Sequence, residues 1–245
     1  MYSPHAFTLV QQNQPSTSLP VVITYQVGDV TGDRIPDVVY LTGTRSAGGS
    51  PFVENITLVI QDGRTGRSTR VPLKSNAGYA PTLFLGDFTG DKINDILIRI
   101  DSGGSGAITY DYIYSFVNSQ ARLLFDYEQF NQAHPYEVNY LDNYRVQMIS
   151  QNPPKTYILD ITYKGQEYLS EIYNPDGRLK APIQGWVNPI SGFYPIDYQR
   201  DGTFEILAMQ RIAGRYNADA LGYVMNSLSW NGVEFVPYQQ WVAIS

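Results

Sequence analysis

One spacing of acidic residues recurs along this chain, twice as near copies: Gly28-Asp29-Val30-Thr31-Gly32-Asp33-Arg34-Ile35-Pro36-Asp37 and Gly86-Asp87-Phe88-Thr89-Gly90-Asp91-Lys92-Ile93-Asn94-Asp95. Asp197-Tyr198-Gln199-Arg200-Asp201-Gly202-Thr203-Phe204-Glu205 is a degenerate third. Counted from the first Asp, oxygen-bearing side chains stand at positions 1, 3, 5 and 9, and the position 7 carbonyl can turn inward. Such a set can surround one hard cation at the distances Ca²⁺ prefers. A single loop of this kind would read as a plain turn, because Asp bonds its own backbone and Gly accepts left-handed torsions. Two matching loops, each with three carboxylates that repel unless neutralised, argue for metal.

An EF-hand needs a bidentate Glu at position 12 and helices on both sides. Position 12 is Tyr40 in the first loop and Ile98 in the second. The loops run instead into Val38-Val39-Tyr40-Leu41, Ile96-Leu97-Ile98-Arg99-Ile100 and Ile206-Leu207-Ala208-Met209, short apolar runs that read as buried strands.

Acidic loops that feed strands resemble the FG-GAP/VCBS repeats of integrin-α-like β-propellers. The resemblance rests on Asp29, Thr31, Asp33 and Asp37, and on Asp87, Thr89, Asp91 and Asp95; family position 6, usually Gly, is Arg34 and Lys92 here. It implies two Ca²⁺ ions held by those eight side chains with the carbonyls of Ile35 and Ile93. The third loop would offer Asp197, Gln199, Asp201, Thr203 and Glu205, and its metal is left open. It further implies a non-enzymatic calcium-binding propeller, extracellular or at the cell surface, that serves adhesion, protein binding or scaffolding.

Spacing sets the number of repeats. Asp33 and Asp91 are 58 residues apart, and Asp91 and Asp201 are 110 apart, about twice 55. The hidden repeat falls at Asp142, where Val138, Tyr140 and Val146 replace the ligands, so this unit should be metal-free. A period of this size, with each unit covering its neighbours' apolar faces, fits propeller blades. The expectation is one all-β domain over residues 1–245, a β-propeller of four, alternatively five, blades with Ca-binding loops between strands. Hairpins are expected at Ile56–Ile60 with Ser68–Val71, at Thr156–Ile161 with Tyr168–Tyr173 through Lys164-Gly165, and around Asn231-Gly232. Strands at Phe7–Val10 and Val21–Tyr25 are expected to share a closing blade with the C-terminal strands, which hides the sheet edges.

The formal charge of −6, with 17 Lys plus Arg scattered along the chain, argues against a nucleic-acid partner. Two Ca²⁺ would shift that charge to about −2. No 18-residue apolar run is present, so no membrane-inserted helix is expected. Zero cysteines exclude disulfides and thiolate metal sites.

Enzyme chemistry finds little support. His5 and His134 read as solvated, and Ser105 misses the nucleophile-elbow pattern because Ala107 stands where Gly is needed. Glu167, Glu171 and Asp176 would have to form a glycosidase carboxylate pair whose separation sequence does not give. Binding is favoured, with a protein or a glycan ligand on the propeller face. Tyr110, Tyr112, Tyr136, Trp186, Tyr194 and Trp241 are the candidates for a carbohydrate-binding version, against a packing role for each.

Overall fold

In the computed structural model, residues 19–45 and 49–244 are described. The strand expected at Phe7–Val10 lies outside them. The other expected repeats appear as four strand units at the spacing of the acidic pattern. Unit one holds β1 (Val21–Gly28), β2 (Asp37–Arg45), β3 (Phe52–Gln61) and β4 (Ser68–Pro72). Unit two holds β5 (Gly78–Gly86), β6 (Asp95–Asp101), β7 (Thr109–Ser115) and β8 (Arg122–Asp126), followed by the short helix α1 (Tyr127–Ala133). Unit three holds β9 (Tyr136–Leu141), β10 (Arg145–Gln151), β11 (Pro154–Asp160) and helix α2 (Gly165–Ile172). Unit four holds β12 (Gln184–Ile196), β13 (Glu205–Ala213), β14 (Ala220–Trp230) and β15 (Phe235–Ala243).

In every unit the acidic segment joins the first two strands as an antiparallel hairpin, with Gly28 opposite Asp37, Gly86 opposite Asp95, Leu141 opposite Arg145 and Ile196 opposite Glu205. The fold is all-β. A ring of four or five blades is not confirmed, because long-range pairing fuses the units two by two. Phe52 and Val53 of β3 pair with Tyr79 and Gly78 of β5, and Gln184 and Gly185 of β12 pair with Asn139 and Val138 of β9. Two continuous sheets result, β1-β2-β3-β5-β6-β7-β8 with β4 beside β3, and β11-β10-β9-β12-β13-β14-β15.

The second sheet curls until its ends meet, nearly closing a barrel. Lys155 Nζ and Tyr157 Oη of β11 both donate to the Gln240 carbonyl of β15, at 3.2 and 2.9 Å. Since β1 and β15 belong to different sheets, the described residues do not form the expected shared closing blade.

Two expectations fail locally. Residues 165–172 form a helix and not the return strand of a hairpin, because burying Leu169 and Ile172, three apart, satisfies the 3.6-residue period. His134 is buried rather than solvated, stacked on Phe130 at 4.1 Å with its Nδ1 bonded to the Phe130 carbonyl at 2.8 Å. Burial lowers its pKa, against the opposing pull of that carbonyl and of Glu234.

Two apolar cores underlie the sheets. One gathers units one and two with Ile190, Phe193, Ile206, Ala208, Leu228 and Phe235 of unit four, and the other joins units three and four. Unit four therefore ties the molecule together, and Phe125 against Phe193 at 4.6 Å is one such link. The near-barrel also encloses a buried amide chain. Gln240 donates to Ser150 Oγ at 3.3 Å and to Asn226 Oδ1 at 2.8 Å, and Asn226 donates to Gln210 Oε1 at 3.3 Å. Linked amides of this kind fix one packing arrangement, since an unpaired member would be costly at positions so deeply buried.

Candidate functional site: a stack of acidic loops

The three acidic loops share one backbone path. Position 4 has positive φ in each, at Gly32 (83°), Gly90 (78°) and Arg200 (60°). So does position 6, at Arg34 (66°), Lys92 (67°) and Gly202 (90°). Each loop thus seats one non-glycine residue in the left-handed region, a conformation that costs roughly 1–2 kcal/mol unless the loop compensates.

Compensation comes from the carboxylates. Asp29 accepts the N–H of Gly32 at 2.7 Å and of Arg34 at 2.8 Å; Asp87 accepts those of Gly90 at 2.6 Å and Lys92 at 2.7 Å. Asp197 takes the N–H groups of Asp201 and Gly202 at 3.1 and 3.0 Å. At position 5, Asp33, Asp91 and Asp201 accept from Ile35, Ile93 and Thr203 at 2.8, 2.9 and 2.8 Å. At position 9, Asp37, Asp95 and Glu205 reach back to the N–H of Val30, Phe88 and Tyr198 at 2.9, 3.0 and 3.1 Å. Gln199 of the third loop donates to Glu205 at 3.3 Å.

The loops also stack. The Asn94 N–H of loop two donates to the Asp29 carbonyl of loop one at 3.1 Å, and the Phe204 N–H of loop three donates to the Asp87 carbonyl of loop two at 2.7 Å. The same rung, from position 8 to position 1, is used twice. Loop one begins the stack because its position 8 is Pro36, which has no N–H to offer. Val30 and Phe88 at position 2 are buried in the core and anchor the first two loops. Loops two and three flank a cavity of about 390 Å³ lined by Asp87, Lys92, Asn94 and Asp201. The turn of unit three stands outside the stack, with Asn143 and Tyr144 at positive φ and Asp142 accepting the Leu179 N–H at 2.9 Å.

The loops differ in charge balance. Arg64 bonds Asp33 through Oδ2 at 2.6 Å and holds its carboxyl below the usual range, helped by the Ile35 N–H. Among the described residues no Lys or Arg forms an ion pair with loop two. Burial pushes Asp95 up to about 7, and the charges of Asp91 and Asp87 push the same way. As candidate metal ligands the side chains are turned onto backbone N–H groups, and among the described residues no three His, Asp or Glu converge as a metal centre.

Two clusters were not visible in sequence. At the foot of α2, Asp219 accepts from Tyr168 Oη at 2.7 Å, from the Arg215 N–H at 3.0 Å and from Lys164 Nζ at 3.1 Å. Tyr140 Oη lies 2.8 Å from Tyr168 Oη. Burial opposes ionisation of Asp219, but the bonds from Tyr168, Arg215 and Lys164 outweigh it and hold the carboxyl below its ordinary value. Arg215 caps the cluster, over the Tyr168 ring at 4.7 Å and bonded to Glu171 at 2.6 Å. Between the sheets, Asp111 is wholly buried; its Oδ2 accepts from Thr109 Oγ1 at 2.6 Å, and its Oδ1 has no hydrogen-bond partner among the described residues.

Of the candidate aromatics, Tyr112 is core, and Tyr110 packs against that core. Tyr136 donates to Gln210 in the amide chain at 2.9 Å. Trp186 and Tyr194 are exposed, Tyr194 beneath the Arg99 guanidinium at 5.2 Å.

Comparison with known proteins redirects the family assignment. Residues 134–243 match the model described as the YybI C-terminal domain, a span that runs from the end of α1 through the last strand of the curled second sheet. Over 231 residues, 94% of this chain and 87% of the relative, the sequence is 52% identical to a Bacillus subtilis (strain 168) protein described as "Uncharacterized protein YybI". No solved structure matches the chain. No FG-GAP, VCBS or integrin-like family matches either, so the resemblance drawn from the acidic spacing is corrected. That spacing follows from the turn itself, whose positions 1, 5 and 9 need acceptors for backbone N–H groups whatever the family. The chain belongs to the YybI family.

Proposed function

We propose that the chain is a non-catalytic binding module, a stiff β scaffold that presents the face of its stacked loops to a macromolecular ligand. The observation that carries this reading is the repeated rung between loops, Asn94 to Asp29 and Phe204 to Asp87. Loops tied to one another and to the core lose little conformational freedom on binding, and preorganisation of that kind raises affinity. A photo-crosslinking side chain placed at Lys92 or Arg200, both exposed, should trap a discrete adduct in the cells that make the protein. The same group at exposed Glu167 on α2 should not. Equal labelling from both faces, or no adduct from the loops, would defeat the proposal.

Loop two favours a second, compatible reading in which Ca²⁺ is its counterion. Among the described residues the three carboxylates of that loop have no ion-pair partner, and the Thr89 hydroxyl beside them is closed off from solvent against Asp95. Asp87, Thr89, Asp91 and Asp95, with the Ile93 carbonyl, would hold the ion, which supplies two positive charges against three negative ones. Loop one, with Arg64 on Asp33, has less need of it. Ca²⁺ added to chelator-treated protein should raise the melting temperature through linkage. Asp91→Asn should abolish that rise and Asp33→Asn should leave it largely intact. A melting curve indifferent to Ca²⁺ would remove the metal from this reading.

A further inference from the structure

A strand at the margin of a sheet carries a row of unpaired N–H and C=O groups, and folded chains guard such rows with charges, prolines or a covering segment. Most of the strands that end the two sheets here are guarded in this way. β4 carries Arg70 and ends at Pro72, β8 runs from Arg122 to Asp126, and β11 opens with Pro154-Lys155 and ends at Asp160. β15 has Pro237 and receives the side chains of Lys155 and Tyr157 from β11. By contrast β1, Val21-Val22-Ile23-Thr24-Tyr25-Gln26-Val27-Gly28, has no charge and no proline. It pairs with β2 on one side and, among the described residues, with no strand on the other.

This margin is open and largely apolar. Tyr25 is 64% exposed and Val27 57%, with Val22 and Gln26 exposed beside them. Opposite residues of an antiparallel pair share a face. The register therefore sets Tyr25 beside half-buried Tyr40 and Val27 beside half-buried Val38, on the face opposite the core residues Val39 and Leu41. Neither Tyr25 nor Gln26 makes a side-chain hydrogen bond among the described residues. The one irregularity of β1, between Val22 and Thr24, leaves residues 24–28 in regular register with β2.

The absence of charge narrows the occupant. An unlike protein is selected by charges complementary to those of the site, and β1 has none to offer. For a second copy the same absence is a requirement, because two-fold pairing sets a surface against itself and any charge near the axis would oppose its own copy. Between chains of net charge −6, an uncharged margin is where two copies approach with least repulsion. Symmetry also limits the register. Side chains alternate between faces along a strand, so a two-fold axis perpendicular to the sheet must pass beside one residue that faces itself. Centred on the regular stretch, that residue is Gln26. Tyr25 then stands opposite the partner's Val27, and Val27 opposite the partner's Tyr25, which gives two aromatic–β-branched pairs. The two Gln26 amides meet with a donor and an acceptor each.

We propose that β1 pairs antiparallel with the β1 of a second copy, so that the first sheets of two chains form one continuous sheet. The paired strands run in opposite directions, and the acidic loop that follows each β1 lies at opposite ends of the pair. On the binding-module reading, such a dimer bridges two ligands and does not grip one twice. A five-residue strand pair is about 17 Å long and covers less than the roughly 800 Å² per partner of stable complexes, so the association is weak and concentration-dependent.

Sedimentation equilibrium of the full chain should show the mass rising from monomer toward dimer with concentration. Tyr25→Lys and Val27→Lys, both at exposed positions, should each raise the dissociation constant by about tenfold or more and leave the circular dichroism spectrum unchanged. The chain has no cysteine, so an introduced one is its only thiol. Gln26→Cys should give a disulfide-linked dimer under mild oxidation, since opposite Cα atoms about 4.5–5.5 Å apart suit a disulfide. Ser68→Cys, exposed on the margin strand β4, should not. Mixed Tyr25→Cys and Val27→Cys chains should link to each other in preference to their own kind. A chain that stays monomeric at every concentration, or a dimer that both lysine variants leave intact, would overturn the proposal. So would a Gln26→Cys monomer whose thiol resists alkylation, which would show the margin covered from within its own chain. None of these outcomes bears on the loop-face adduct at Lys92, so dimer and binding module fail separately.

Discussion

Asp219→Ala should lower the unfolding free energy by about 2–4 kcal/mol, more than an ordinary point substitution. The Asp219 side chain is 2% exposed and that of Lys164 18% exposed. Removing the carboxylate strands the Lys164 ammonium, the Tyr168 hydroxyl and the Arg215 N–H, all of which donate to it. Breaking a buried pair from one side costs about 3–5 kcal/mol because the other charge stays behind. The expectation sits lower because Lys164 keeps its bond to the Ala220 carbonyl at 2.6 Å and can turn to solvent. Asp219→Asn, which preserves an acceptor, should cost about half as much. Urea unfolding gives the free energies, and limited proteolysis between Ile161 and Gly165 should rise first as α2 loosens. An Asp219→Ala protein within about 0.5 kcal/mol of the parent, the range of ordinary surface changes, would mean that the cluster does not fasten the helix.

What sequence makes legible here is what neighbours in the chain decide. Each acidic loop closes through bonds spanning at most seven residues, as from the Val30 N–H to Asp37, so its spacing marks the hairpins of units one, two and four. The turn at Asp142 was reachable by periodicity alone, although its ligands are gone. A hairpin forms around Asn231-Gly232, but its loop runs from Asn231 to Glu234, since Trp230 pairs with Phe235 and not with Val233.

Contacts set by distant residues were not legible. The pairing of β3 with β5 and of β9 with β12 leaves no local signal, yet it fuses expected blades into two sheets. The Asp219 cluster draws on Tyr140, Lys164, Tyr168 and Arg215, which no spacing rule brings together. Helix α2 was mistaken because eight residues hold too few turns to separate a period of 3.6 from alternation. The family resemblance failed for a related reason: loops that need the same acceptors converge on the same pattern.

The second large effect is a stabilisation. Asp111→Asn should raise stability by about 1–3 kcal/mol near pH 8 and by little near pH 4. Burial pushes the Asp111 carboxyl from 3.8 up to about 7, with the Thr109 hydroxyl and the Arg99 charge pulling the other way and Asp101 adding to the rise. A carboxyl whose pKa is raised on folding contributes its full stability below the unfolded value, where both states are protonated. That stability is lost progressively as pH climbs from the unfolded value, 3.8, and the loss is complete above the folded value near 7. A rise of roughly three units corresponds to about 4 kcal/mol at the upper limit. The Asn amide recovers less, because its N–H₂ meets the same site where Asp111 Oδ1 has no hydrogen-bond partner among the described residues. Thr109 Oγ1, now 2.6 Å from Oδ2, can still donate to the amide oxygen. Arg99, directly opposite Asp111 on β6, retains Asp101 at 3.4 Å as an ion-pair partner after the substitution. Urea unfolding of both proteins across that pH interval should give two curves that converge on the acid side and diverge on the alkaline side. Parallel curves would show Asp111 ionised throughout and balanced by Arg99, and a destabilised Asn variant at alkaline pH would make that charge pair part of what holds the two sheets together.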